Sequence, residues 1–307
     1  MRIGLVDVDG HGGYPNYALM KISAWHKAKG DSVEFANPLF GEYDRVYLSK
    51  IFTFTPDNTD VWNCEVVKGG TGYDHTTKLP NEIDRLQPDY SLYGIKGVSY
   101  GFLTRGCNRK CAWCIVPKKE GAISPYMDID EIANGNNKII LMDNNILASD
   151  YGLLQIEKIA ERGYAIDFNQ GLDARLITDD IARLLARCKW LRYIRVACDQ
   201  SGQIKHVDNA LRLLRKHGYK KELFVYCLLK DFQESYERVK ALYRSKDDIT
   251  LHCQAYRNFD DVHQVIPQWQ KDMMRWSNKR WIYQSDWFDD YMPRKGFKCS
   301  DYKKAIF

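Results

Sequence analysis

The sequence predicts an α/β protein in which buried parallel strands alternate with amphipathic helices. Two patterns indicate this class: short continuous apolar runs, typical of strands covered on both faces, and helix-period spacing between those runs. With 307 residues, 45% of them hydrophobic, the chain is long enough for two domains or for one barrel with an extension. We therefore expect three segments, at residues 1–95, 96–260 and 261–307.

The first segment has a β–α–β pattern. Its predicted strands are residues 3–6, 32–35 and 45–49. A helix from about Asn16 to a stop at Gly30 connects the first two strands, and this order predicts a small doubly wound domain. The glycine-rich loop 9–14 could line a cavity, approach a phosphate at the helix N-terminus, or form a turn that needs positive φ.

The second segment continues the alternation. Its predicted strands are residues 98–103, 138–142, 165–168, 191–197, 223–229 and 249–253. Helices are predicted between them, for example at 179–188 and 207–217. In a barrel built from such units, functional residues lie on the loops at the C-terminal ends of the strands.

A cysteine run follows the first strand of the second segment. Cys107, Cys111 and Cys114 have the spacing C-x3-C-x2-C. Three such thiolates can hold three irons of a 4Fe–4S cluster, which leaves one iron open to another ligand. Zinc is the alternative metal, but its fourth ligand would come from a second C-x2-C or a His pair. The sequence has no second C-x2-C, and His75 and the other cysteines are scattered.

With Trp113 directly before the third cysteine, the run resembles the radical S-adenosylmethionine (SAM) superfamily. The wider segment 104–117 is similar to the branch that contains methylthiotransferases and cobalamin-associated radical enzymes. The resemblance implies that the open iron binds the amino and carboxylate groups of SAM. One electron from the cluster would then cleave SAM, and the released 5′-deoxyadenosyl radical would abstract a substrate hydrogen. It also implies a reductant such as flavodoxin or ferredoxin as partner.

For the fold, the resemblance implies an α/β protein with a Rossmann-like, cobalamin-binding-like N-terminal domain and a partial (β/α)6 TIM-type radical SAM barrel. A helical C-terminal extension would follow the barrel. The expected cofactor-binding residues are Trp113, Asp143, Asn144, Asn145, Gln170, Arg175 and Asp199.

Residues 143–145 follow the second barrel strand, where the superfamily binds the SAM amino group, and their oxygens can accept from an ammonium. Arg175 offers a planar donor fork for the SAM carboxylate, and Gln170 could reach SAM or substrate. Asp199 is the candidate for the ribose hydroxyls. A turn is the alternative for 143–145, and an ion pair with Asp173 or Asp179 is the alternative for Arg175.

Two departures separate the chain from this branch. Its cobalamin signature is D-x-H-x-x-G, whereas the loop 9–14 ends in Tyr14 and follows the first strand, which argues against cobalamin. A methylthiotransferase needs three further cysteines in its N-terminal domain, where this chain has only Cys64. The residues that act on the substrate are not identified by the sequence.

The C-terminal segment, residues 262–307, contains four of the eight tryptophans and most of the net charge of +5. Helix-period spacing gives it two faces. The apolar face contains Trp269, Met273 and Trp276, and the basic face contains Lys271, Arg275 and Lys279. The pattern predicts a helix docked by its aromatic side. The exposed basic face could also bind RNA or DNA through phosphate pairing and base stacking.

We therefore expect a radical SAM enzyme that modifies a nucleobase, nucleotide or RNA. Modification of a peptide or small molecule is one alternative, and a non-catalytic iron–sulfur or zinc protein that binds nucleic acid is another. The chain has no 18-residue apolar run, so no membrane partner is expected. Its first residues also show no signal-peptide pattern. Cysteines 188, 198, 227 and 253 are predicted to be buried thiols, which favours the reducing cytoplasm. The oligomeric state stays open.

Overall fold

The computed structural model describes residues 1–10 and 14–304. The chain divides into two compact units, Met1–Val98 and Ser99–Phe307. The protein is a mixed α/β protein whose larger sheets are parallel. Within the described ranges, every helix is too short or too polar to cross a membrane.

The first unit contains a four-stranded parallel sheet with a helix on one face. Its elements are β1 (Arg2–Asp7), α1 (Tyr17–Ala28), β2 (Ser32–Phe35), β3 (Arg45–Ser49), β4 (Glu65–Gly69) and α2 (Asn81–Asp84). The strand order is β2-β1-β3-β4, with every neighbouring pair parallel. Ile3 and Leu5 of β1 form a buried cluster with Leu19 and Ile22 of α1. The three predicted strands and the helix are confirmed.

Asn16 fixes the start of α1. Its Oδ1 accepts a hydrogen bond from the Leu19 N–H at 3.2 Å, and its Nδ2 donates to the Ser49 hydroxyl at 2.9 Å. In the loop 9–14, Gly10 has a φ of 73°, as the turn interpretation expects. His11, Gly12 and Gly13 lie outside the described residues, so the argument against cobalamin and the phosphate interpretation of this loop stay predictions.

The second unit is larger, and its described part combines strands and helices throughout. Its strands are β5 (Ser99–Gly101), β6 (Thr104–Arg105), β7 (Ser124–Pro125), β8 (Lys138–Leu141), β9 (Ala165–Phe168), β10 (Lys189–Trp190), β11 (Arg195–Ala197), β12 (Leu223–Leu229) and β13 (Ile249–Ala255). Its helices are α3 (Val116–Glu120), α4 (Ile129–Ala133), α5 (Asp150–Arg162), α6 (Asp179–Arg187), α7 (Ile204–Lys216), α8 (Phe232–Tyr243), α9 (Gln268–Ser277), α10 (Arg280–Ser285) and α11 (Asp301–Lys304).

Six of these strands (β5, β8, β9, β11, β12 and β13) lie in two sheets, and within each sheet they are neighbours in the order in which they occur in the chain. β5, β8 and β9 are parallel neighbours in one sheet, and β11, β12 and β13 are parallel neighbours in another. Leu172 connects the two sheets: its N–H donates to the Arg195 carbonyl at 2.7 Å, and its own carbonyl accepts from the Ala197 N–H at 3.2 Å. The loops that leave these six strands therefore start from the same edge.

The predicted fourth strand, 191–197, was too long. Residues 191–194 lie outside any strand. Within them, the Tyr219 hydroxyl accepts from the Ile194 N–H at 2.8 Å and the Lys221 ammonium donates to the Arg192 carbonyl at 2.9 Å, while the Ile194 carbonyl accepts from the Phe224 N–H at 2.9 Å. An apolar sequence pattern does not reveal such side-chain partners of the backbone.

The C-terminal segment belongs to the core of the second unit. Met273 and Trp276 of α9 are fully buried, while Lys271, Arg275 and Lys279 are exposed. The predicted docking of this helix by its aromatic side is therefore observed. The four cysteines predicted to be buried thiols are also buried.

Candidate functional site

The three motif cysteines lie on a closed loop, which we call the Cys loop (residues 106–123). β6 and β7 pair antiparallel at its base. Gly106 begins the loop with a φ of +84°, and a Cβ there would approach the Ala122 carbonyl oxygen to 2.3 Å. The Cys107 N–H donates to the Gly121 carbonyl at 3.1 Å. The two ends of the loop therefore meet at a position that only glycine occupies without strain.

Glu120 fastens the Cys loop to its surroundings. Its Oε2 accepts from the Gly106 N–H and from the Asn144 Nδ2, both at 2.9 Å, and its Oε1 accepts from Arg105 Nη2 at 2.7 Å. One carboxylate thus joins both ends of the loop to the residue that follows β8. Sequence reasoning missed Glu120, because an acidic residue after two lysines in a short helix has no distinguishing pattern.

Asp143 is completely enclosed next to the start of the Cys loop. Its Oδ1 accepts from the Leu103 N–H at 3.1 Å, from the Thr104 N–H at 2.6 Å and from the Thr104 hydroxyl at 2.8 Å. Burial raises the pKa of this carboxyl group to about 6, although the three donors oppose the shift. If Asp143 contacts SAM, as predicted, it would do so with carboxylate oxygens that already accept hydrogen bonds from Leu103 and Thr104.

Asn145 extends towards the first cysteine. Its Nδ2 lies 3.5 Å from Cys107 Sγ and can donate to it. The residue is buried, and its Oδ1 has no hydrogen-bond partner in the described ranges. A buried acceptor without a donor is costly, so this oxygen is suited to an additional donor at the site. Asn144, its neighbour, is half-buried and bound to Glu120.

Two arginines clamp Asp173 after β9. Arg109, on the Cys loop, donates through Nε at 3.0 Å, and Arg175 donates through Nε at 2.7 Å and Nη2 at 2.9 Å. Burial opposes ionisation of Asp173, but the two guanidinium groups hold its pKa below the usual range. The ion pair considered for Arg175 is therefore present, and the same guanidinium acts electrostatically on Cys111.

The loop after β12 reaches the Cys loop through a cation–π contact. The Lys230 ammonium lies 3.5 Å from the centre of the Trp113 ring. Asp199, after β11, accepts from the Leu228 N–H at 3.1 Å, and burial raises the pKa of its carboxyl group. Gln170 is exposed and donates to the Asn169 side chain at 3.3 Å. Of the residues predicted to contact SAM, Gln170 is the one for which the described residues show no contact with the Cys loop or with its partners.

The donor set of the Cys loop suits an iron–sulfur cluster in its chemistry. Burial raises the pKa of the Cys111 and Cys114 thiols, and the neighbouring thiols of the loop raise it further. Arg175 opposes the shift at Cys111. In the described part of the chain, no group of three His, Cys, Asp or Glu side chains is arranged to hold a metal ion. The thiols would have to draw together on binding.

Neither a protein-family model nor a curated protein matches this chain. The interpretation of the site therefore depends on the Cys loop and on the side chains around it. These come from the loops that follow β8, β9, β11 and β12, at the C-terminal edge of the parallel strands.

Proposed function

We propose that this protein is a radical SAM enzyme. In this proposal the first unit is a Rossmann-like domain, and the second is a partial (β/α)6 barrel of the TIM type. One observation carries the proposal: a C-x3-C-x2-C loop lies beside residues that follow successive strands of a parallel array in chain order. Active sites on such arrays are built from these loops.

Cys107, Cys111 and Cys114 would hold one 4Fe–4S cluster. A bound cluster would supply the electron that cleaves SAM into methionine and a 5′-deoxyadenosyl radical. The reductant would be a protein such as flavodoxin or ferredoxin, and the compartment the cytoplasm. Cobalamin is not part of the proposal.

Arg175 is the proposed ligand of the SAM carboxylate. Its Nε and Nη2 are engaged with Asp173, while its Nη1 has no hydrogen-bond partner in the described ranges. The ion pair therefore orients the guanidinium and leaves donors for a second carboxylate. Asp173 is accordingly a positioning residue.

The other SAM contacts are assigned by chemistry. The Asn144 side-chain oxygen can accept from the SAM ammonium, because its Nδ2 is already oriented by Glu120. The unpartnered Oδ1 of Asn145 offers a second acceptor. Trp113 presents an indole to the adenine or the sulfonium, and Asp199 is assigned to the ribose hydroxyls. Gln170 could approach SAM only through movement of its exposed side chain.

The test is anaerobic reconstitution with iron and sulfide, followed by addition of dithionite and SAM. We expect a brown protein that releases 5′-deoxyadenosine. Cys107→Ala, Cys111→Ala and Cys114→Ala should each abolish the colour and the product. Cys64→Ala, at another half-buried cysteine, is the matched control and should keep both. A colourless wild-type protein that holds one zinc ion would refute the proposal, as would full colour in all three loop variants.

A nucleic-acid partner for the C-terminal segment is a second proposal. Three of its tryptophans pack into or against the core, so they do not offer a stacking surface. Trp281 is 74% exposed and follows the exposed Lys279 and Arg280 directly in the chain. An exposed indole next to cations is a combination that binds single-stranded nucleic acid.

A further inference from the structure

The two faces of the β11–β13 sheet have different environments. On one face, Val196, Val225 and Leu251 are at most 1% exposed in the hydrophobic core. On the other face, strand register sets two rows: Arg195, Phe224 and Thr250 in one, and Ala197, Tyr226 and His252 in the next. All three residues of the second row are half-buried. This face is therefore not sealed like the opposite one.

The open face carries a stack of aromatic rings. The Phe224 ring lies between Tyr193, at 5.2 Å with an interplanar angle of 10°, and His252, at 5.4 Å with an angle of 30°. Tyr226 meets both Phe224 and His252 edge-on, at 5.1 Å and 5.6 Å. We call Phe224, Tyr226 and His252 the ring wall. Its last ring belongs to β13, which is the edge strand of this sheet.

His252 has unused binding capacity. His252 is half-buried, and its described contacts are ring contacts with Phe224 and Tyr226, without a hydrogen bond of either imidazole nitrogen in the described ranges. Burial lowers the pKa of His252, and the Arg195 charge lowers it further, so the ring is neutral near pH 7. A neutral imidazole offers one donor and one acceptor.

The ring wall borders a cation that is already paired. Arg195 lies 5.5 Å from the centre of the Phe224 ring, is buried and forms an ion pair with Asp167 of β9. The Tyr226 hydroxyl donates to the Asn169 carbonyl at 2.9 Å, which fixes its ring. A ligand that covers this face therefore meets flat rings and an imidazole edge. These groups suit an uncharged planar ring with polar atoms on its edge.

The ring wall lies next to the proposed cofactor site. Asp199 follows Ala197 by two residues, and Lys230 follows Tyr226 by four along the same face of the strand. With a rise of about 3.3 Å per residue, the Asp199 level is about 7 Å above His252 and the Lys230 level about 13 Å above Tyr226. Lys230 contacts Trp113 of the Cys loop, so a ring bound to the ring wall would lie about 7–13 Å from the Cys loop, towards the N-terminal ends of the strands.

We propose that the ring wall binds a nucleobase, stacked on His252 and hydrogen-bonded at its edge by the imidazole. Every base has a π-face and a polar edge, which match these two features. That this base is the substrate depends on the proposed function; that it binds here does not. An aromatic side chain of a peptide is the competing ligand, and the experiment separates the two.

The experiment is saturation-transfer NMR on the cluster-free full-length chain, which needs neither iron nor SAM. The probes are uridine, cytidine, guanosine and N-acetyltryptophanamide. We expect at least one nucleoside to receive saturation, more strongly on its base protons than on its ribose protons. Saturation of N-acetyltryptophanamide alone, or of no probe, would overturn the proposal.

Three variants localise the binding. His252→Leu should weaken nucleoside binding by about tenfold, because it removes stacking and the edge hydrogen bond together. His252→Phe keeps the ring and should lose less, which also covers failure of the leucine variant to fold. Phe40→Ala, at an 85% exposed aromatic residue of the first unit, is the matched control and should bind like the wild type. Equal binding by wild type, His252→Leu and His252→Phe would refute the assignment.

The two proposals fail separately. Absence of 5′-deoxyadenosine together with retained, His252-dependent nucleoside binding would refute the enzyme proposal alone. Release of 5′-deoxyadenosine without nucleoside binding would refute the ring wall alone.

Discussion

Asp143→Asn should remove a pH dependence of stability that belongs to one buried carboxyl group. Asp143 is 2% exposed, and its pKa is raised from 3.8 to about 6 by burial. The folded protein therefore holds this proton more tightly than the unfolded chain. The stabilisation is complete below pH 3.8 and is lost as the pH rises to about 6.

The two pKa values set the size of the effect. A rise from 3.8 to about 6 corresponds to about 3 kcal/mol of unfolding free energy between acid and neutral pH. Asparagine has nearly the same shape, and its oxygen can still accept from the Leu103 and Thr104 N–H groups. It has no proton to lose in this range, so its stability should lack this contribution.

The assay is urea unfolding of wild type and Asp143→Asn across acid and neutral pH, followed by circular dichroism. Other titrating groups cancel in the difference between the two unfolding free energies. We expect the difference to change by about 3 kcal/mol, against the wild type, as the pH rises from about 3 to about 7. If the difference in unfolding free energy between wild type and Asp143→Asn stayed constant within about 0.5 kcal/mol over this pH range, the burial argument for Asp143 would be refuted.

Three further predictions follow from the contacts of the second unit. Glu120→Gln weakens hydrogen bonds to a charged group and should lower the unfolding free energy by about 2 kcal/mol in urea titrations; an unchanged midpoint would contradict its role in fastening the Cys loop. Arg175→Lys loses the planar fork and should weaken SAM binding about tenfold by calorimetry, while Arg183→Lys, at an exposed arginine, should not; equal affinities would remove Arg175 from the SAM site. Lys279→Gln should weaken tRNA binding and reduce the slope of log K against log salt by about 0.7–0.9, and Trp281→Ala should weaken binding with an unchanged slope; wild-type binding that does not depend on salt would contradict the nucleic-acid proposal.

Local sequence patterns predicted most strands of the protein. The runs at 165–168 and 223–229 match β9 and β12 at both ends, because a buried strand needs little beyond its own apolar residues. The predicted strand 32–35 also matches β2, although none of its residues is buried. β4 was missed, since its five residues include a glutamate, a lysine and a glycine. The fourth barrel strand was predicted too long: residues 191–194 lie outside any strand, and a tyrosine and a lysine distant in sequence bind part of their backbone.

The sequence by itself determined the spacing of the three cysteines, the alternation of strands and helices, and the polar residues after the strands. These features depend on neighbouring residues, so they can be recognised locally. Only the tertiary structure decided which polar groups meet. Asp173 and Arg109 are separated by 64 positions, and Glu120 and Asn144 by 24. The ring wall likewise exists only through the register of parallel strands, which brings Tyr226 beside His252. Pairings of this kind arise from packing between segments, and no local pattern encodes them.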